Sequence, residues 1–172
     1  MRLKKEEAVE TREKKQNELQ ERKEERTEER TEKLCENVTK SIENRLAAFE
    51  NHKATRISSY EKLVTKLNEI ARKLEEKGYD VAELQAAISE LEILIDDYIS
   101  LYDDFTTQLR ETQNIACGES DGAFRDALQE AKAAWELVKE KRLEIREFYA
   151  NEIRNIIKDL REQAKELEVT NE

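Results

Sequence analysis

The chain has 172 residues, 42% of them charged and 37% hydrophobic, with three glycines, no proline and a formal charge of −10. So little punctuation leaves no material for hairpins, sheets or ordinary loops, and it predicts an all-α protein whose long helices bury one stripe and leave the rest wet. The negative charge argues against nucleic acid as a partner, because phosphate binding needs clustered Lys and Arg, and no apolar run approaches the roughly 20 residues of a membrane span.

Residues 1–33 hold 11 Lys or Arg and 11 Glu, with Leu3, Val9 and Leu19 as the sizeable apolar side chains. No buried stripe runs through this segment. Glu10, Lys14, Glu18 and Arg22 alternate in sign at four-residue steps, and each such pair adds about 0.2–0.5 kcal/mol to a helix. The segment reads as a stiff polar spacer, against the alternative of a frayed or disordered terminus. It also lacks the hydrophobic core of a signal peptide.

From Leu34 an amphipathic stripe begins: Leu34, Val38, Ile42, Leu46 and Phe49, then Ile57, Tyr60, Leu63, Leu67, Ile70 and Leu74 recur at steps of three and four. It weakens between Phe49 and Ile57, where His52 and Lys53 occupy the core-side register. His52, the one histidine, is either a pH-sensitive spot at a loose layer or a half-exposed surface residue. Helix stop and helix start then stand back to back in Lys77-Gly78-Tyr79-Asp80-Val81-Ala82-Glu83. Gly78 suits the left-handed position past a C-terminus, and Asp80 with Glu83 makes a capping-box pattern.

The second helix carries Val81, Leu84, Ile88, Leu91, Ile95, Tyr98, Tyr102, Phe105 and Leu109 as a heptad-like seam, widened by Ala87, Leu94 and Leu101. Two adjacent apolar lines let one helix face two neighbours, as a three-helix bundle requires. Ile93 lies on the opposite side. A second turn falls at 116–122, with Ser120 or Asp121 as the cap, and the third helix runs from Phe124 through Leu128, Ala131, Trp135, Val138, Ile145, Tyr149 and Ile153 to Leu167. Trp135 reads as a core anchor rather than a ligand platform.

The expected architecture is an elongated antiparallel three-helix bundle or coiled coil: a charged helical extension over 1–40, then a bundle over 41–172 with helices at about 41–77, 81–115 and 121–168. With the first turn near residue 79, the third helix is expected to pass it at about residue 155. That would leave Ile156, Ile157, Leu160, Ala164 and Leu167 as an apolar overhang, covered by a second copy, by a partner helix or by further chain, or left to fray.

Four carboxylates, Asp96, Asp97, Asp103 and Asp104, are expected on the outer face of the second helix. They read as a solvated acidic face, or as a loose site for a cation or a basic partner; a straight helix alone does not gather the six to eight oxygens of a calcium site. Outward carboxylates without an apolar pocket also argue against a carboxylate-pair hydrolase. No metal ligands, cofactor motif or catalytic group stands out. Asn37-Val38-Thr39 matches a glycosylation acceptor but lies in a helix. Cys35 and Cys117 are candidates for a disulfide that clamps the second turn to the shaft in an oxidising compartment, or for two free thiols.

The charged lead-in, the run Arg56-Ile57-Ser58-Ser59-Tyr60-Glu61-Lys62-Leu63 and the turn Leu74-Glu75-Glu76-Lys77-Gly78-Tyr79-Asp80-Val81 resemble a group of helical proteins of small-genome bacteria that are predicted to be secreted or envelope-associated. The resemblance spans roughly residues 20–165, carries no known activity, and implies an extracytoplasmic location after signal removal; a cytoplasmic location is the alternative. A looser likeness to spectrin-type three-helix repeats lacks a second repeat. The functional expectation is a structural or protein-interaction module without cofactor or catalysis, meeting a protein partner or its own copy through helices. The alternative is an extracytoplasmic sensor that binds cations or cationic peptides on the acidic second helix.

Overall fold

The computed structural model describes the backbone of residues 2–115 and 121–170 and, within them, the side chains of 12, 14–115 and 122–164. All described elements are helical: α1 (Arg2–Glu75), α2 (Ala82–Ile115), α3 (Asp121–Phe148), a π-turn (Tyr149–Ile153) and α4 (Arg154–Thr170). The last three form one continuous third leg. The fold is thus an elongated, antiparallel three-helix bundle in which α2 packs closely against both α1 and α3.

α1 runs unbroken for 74 residues because nothing in it can stop a helix before Gly78. Its first half is held locally. Gln20 donates to Glu24 four residues on at 2.8 Å, and the hydroxyls of Thr27 and Thr31 donate to the carbonyls of Lys23 and Thr27. Every described side chain from Arg12 to Leu34 is exposed, so none of them packs into the bundle. Leu34, expected to open the inward stripe, is 65% exposed. The inward row starts one residue later, with Cys35, Val38 and Thr39 half-buried and Ile42 buried.

The first turn closes as the Gly–Asp punctuation requires. Tyr79 N–H donates to the Leu74 carbonyl at 3.1 Å and Gly78 N–H to the Glu75 carbonyl at 2.8 Å. That pair of bonds is a Schellman cap, and it needs Gly78 at φ +87°. Asp80 Oδ1 then accepts from Ala82 N–H at 3.0 Å. The return bond of a capping box, from Asp80 N–H to Glu83, is not made; Glu83 stands exposed in the first turn of α2, where the helix dipole favours its charge. The expected caps of the second turn, Ser120 and Asp121, lie outside the described side chains.

Antiparallel register follows from cross-links on both sides of the hairpin. Lys53 pairs with Asp103, and Gln113 Nε2 donates to Glu43 at 2.9 Å, so residue numbers of α1 and α2 mirror about Gly78. Lys141–Asp97 at 3.3 Å and the Trp135–Tyr102 ring contact mirror α2 and the third leg about residue 119. Residues near 159 therefore stand level with Asp80, later than the expected 155, and the extra residue of the π-turn shifts the level further. In consequence Ile157 and Leu160 are buried in the bundle core, Ile156 is half-buried against it and Ala164 is half-buried. The Leu167 side chain lies outside the described residues.

The core is a single column centred on α2: Leu84, Ala87, Ile88, Leu91, Ile95, Tyr98, Tyr102, Phe105 and Leu109 are all buried. Its polar members are satisfied within the helix, with Thr106 donating to the Asp103 carbonyl and Thr112 to the Gln108 carbonyl. α1 contributes Ile42 and Leu46 at one level and Leu67 and Ala71 at another, and has no fully buried side chain between them. That gap is where the bundle opens.

Candidate functional site

No Cα of α1 comes within 8 Å of α3, the π-turn or α4 among the described residues, although both legs lie close against α2. A furrow therefore runs between the first and third legs. Aromatic side chains bridge its middle. Phe49 of α1 meets Trp135 of α3 at 5.0 Å between ring centroids and Phe105 of α2 edge-on at 4.8 Å, while Tyr60, Tyr98 and Tyr102 continue the series at 5.6 and 5.7 Å. Such tilted and edge-to-face pairs contribute about 0.5–1.5 kcal/mol each beyond their buried area. The Tyr102 hydroxyl donates to the Phe49 carbonyl at 2.9 Å, tying α2 to α1 at this level.

Two hollows follow one another along the furrow. The first, of about 320 Å³, has Phe49, Tyr98, Tyr102, Trp135 and Val138 as its apolar floor and His52, Arg56, Lys139 and Arg142 at its rim. The second, of about 650 Å³, is floored by Leu63, Leu67, Ile70, Tyr149 and Ile157 and rimmed by Lys66, Arg154, Lys158 and Arg161. Neither has an acidic residue in its lining, in a chain that carries ten net negative charges. Lys139 is held by Glu136 at 2.5 Å and Lys158 by Glu162 at 3.7 Å. Arg56, Lys66, Arg142, Arg154 and Arg161 make no ion pair among the described residues.

Burial raises the hydroxyl pKa of Tyr60 and Tyr98, and the Arg56 and Arg142 guanidiniums beside them pull back in the other direction. Tyr102, the most enclosed of the three, is pushed up to about 12, first by burial and then by Tyr98 and Glu50. These rings stay neutral donors at physiological pH. The furrow can thus offer apolar contact together with cations that make no ion pair among the described residues, a combination suited to an anion with an apolar body.

Comparison with known proteins gives no match to a family model, a curated protein or a solved structure.

The four carboxylates expected as an outer acidic face are divided by the fold. Asp103 turns to Lys53 on α1, and Asp97 turns to Lys141 on α3, on the other flank of α2. Glu144 first, then Asp97, hold the Lys141 ammonium above its ordinary pKa against the opposing effect of its burial. All four carboxylates stay exposed, as expected of an outer face, with Asp97 and Asp103 also reaching across to the neighbouring legs. No group of three or more metal-ligating side chains able to hold an ion occurs among the described residues. Cys35 is disulfide-bonded, and Cys117 lies outside the described residues. Trp135 packs as a core anchor and also lines the furrow; His52 is exposed at its rim. No helix among the described residues is long and apolar enough to cross a membrane.

Sequence reasoning noticed the weak stretch of the α1 stripe but missed the furrow it opens. The available signal was on the third leg, where Lys139, Arg142, Arg146, Arg154, Lys158 and Arg161 fall at helical spacing on one edge.

Proposed function

We propose that the chain is a structural and protein-interaction module: a three-helix head that carries a stiff polar arm and meets a partner protein through its helices, without catalysis of its own. The observation that carries this reading is the arm, in which every described side chain from Arg12 to Leu34 is exposed on a helix continuous with the head. A helix that buries nothing adds nothing to a core; what it supplies is reach, about 50 Å for 33 residues at 1.5 Å each. The exposed Ile93, Leu137 and Leu143 on the head are consistent with helical faces offered to another protein. A bonded Cys35 fits an oxidising, extracytoplasmic compartment, with Cys117 as its proposed partner.

Deleting residues 2–33 tests the reading. The head is expected to unfold at the same temperature with and without them, within about one degree per few tenths of a kcal/mol. A fall of ten degrees or more would make the arm part of the fold, and the spacer reading would be lost.

A further inference from the structure

We propose that the furrow between α1 and the third leg is the docking site for an acidic amphipathic helix of a partner protein. This deepens the interaction-module reading and rests on it. Three observations carry it. First, the two legs share α2 as neighbour while their backbones stand apart, meeting through the Phe49–Trp135 ring contact, which leaves the side away from α2 open as the fourth corner of a four-helix arrangement. Second, the two hollows follow each other from Phe49 to Ile70 of α1, about 32 Å at 1.5 Å per residue, the length of a six-turn helix. Third, both hollows combine an apolar floor with a cationic rim and contain no carboxylate, so a helix with an apolar stripe flanked by Glu or Asp matches them along their whole length. Arg56 and Arg142 face this space from opposite legs and make no ion pair among the described residues, ready for the bidentate bonds that guanidinium makes to carboxylate. A small anion would meet that pair of arginines but would leave the longer second hollow, with Leu63, Ile70 and Ile157, uncovered.

The probe is a synthetic 18-residue amphipathic peptide with Leu on one face and Glu and Gln on the other, compared with the same peptide bearing Lys in place of Glu. Trp135, the one tryptophan, lies in the furrow and reports binding to the full chain by its own emission. The acidic peptide is expected to bind one to one, to shift that emission, to weaken steeply with salt, and to lose affinity about ten-fold in the Arg56→Glu, Arg142→Glu double variant. Arg142→Glu alone, at a side chain already exposed, gives a milder loss if the double variant loses helix content. Arg125→Glu, exposed and outside the furrow, leaves binding unchanged. Equal binding of the basic peptide, no binding of the acidic one, or affinity indifferent to Arg142 overturns the proposal. So does saturable binding of laurate where the peptide fails, which assigns the furrow to a small amphiphile, and so does sedimentation showing that the chain dimerises through it. If the peptide fails while arm deletion leaves the head's unfolding unchanged, the docking proposal falls and the spacer reading stands.

Discussion

Tyr102 concentrates the local physics of the head. Its ring is buried among Tyr98, Phe105 and Trp135, and its hydroxyl finds an acceptor in a backbone carbonyl 53 residues away, at Phe49. Removing the hydroxyl keeps the ring's burial and leaves that carbonyl only its intrahelical bond. Tyr102→Phe is therefore expected to cost about 0.5–1.5 kcal/mol in urea unfolding, with an unchanged m-value. The same residue gives the head an alkaline limit. Tyr102 holds its proton to about pH 12 in the folded state and to about 10 when unfolded, so the unfolded chain releases protons first as pH rises. Stability is fully present below pH 10 and declines between 10 and 12, with Tyr60 and Tyr98 acting in the same direction. A denaturation midpoint that stays level across that window would contradict the burial of all three rings.

At the scale of elements, the 76–81 turn decides how the hairpin registers. Gly78 sits at φ +87° with no atom within 4 Å of where a Cβ would be, so a substitution there meets no clash and its cost is purely that of the backbone. Gly78→Ala is expected to destabilise by about 1–2 kcal/mol and Gly78→Asn by less, since Asn tolerates the left-handed region. Asp80→Ala removes the bond to Ala82 N–H and should cost about 1 kcal/mol. Equal stability of Gly78→Ala and the parent in chemical denaturation would show that the turn does not hold this conformation. The Gly78 and Asp80 caps were legible because both act through local chemistry, whereas the Glu83 half of the expected capping box does not form. The π-turn was not singled out, although Ile145, Tyr149, Ile153 and Ile157 stand at three successive four-residue steps. In a regular helix that spacing drifts about 40° per step, and the 4.4-residue turn, closed by Arg154 N–H on the Tyr149 carbonyl, resets it.

For the whole molecule, periodicity exposed the fold and hid the site. Stripes at steps of three and four reveal which residues turn inward, and the α2 seam was read correctly because it faces neighbours on both sides. Whether two other helices touch each other is a matter of interhelical spacing, which no single stripe encodes. The cations of the furrow come from two legs about 85 residues apart in sequence, and they become one surface only when the chain folds back twice. The same limit applied to Asp97 and Asp103, which share a helix and a sequence pattern yet serve opposite interfaces through Lys141 and Lys53.

The central claim, that an unsupported charged helix projects rigidly from the head, is tested most directly by small-angle X-ray scattering of the full chain at physiological salt. An unbroken α1 of 74 residues sets a maximum dimension of about 110 Å, and deleting residues 2–33 should shorten it by several tens of ångströms. A full-length maximum near 60–70 Å, little changed by the deletion, would mean that the arm folds back on the head, and the spacer reading would not survive it.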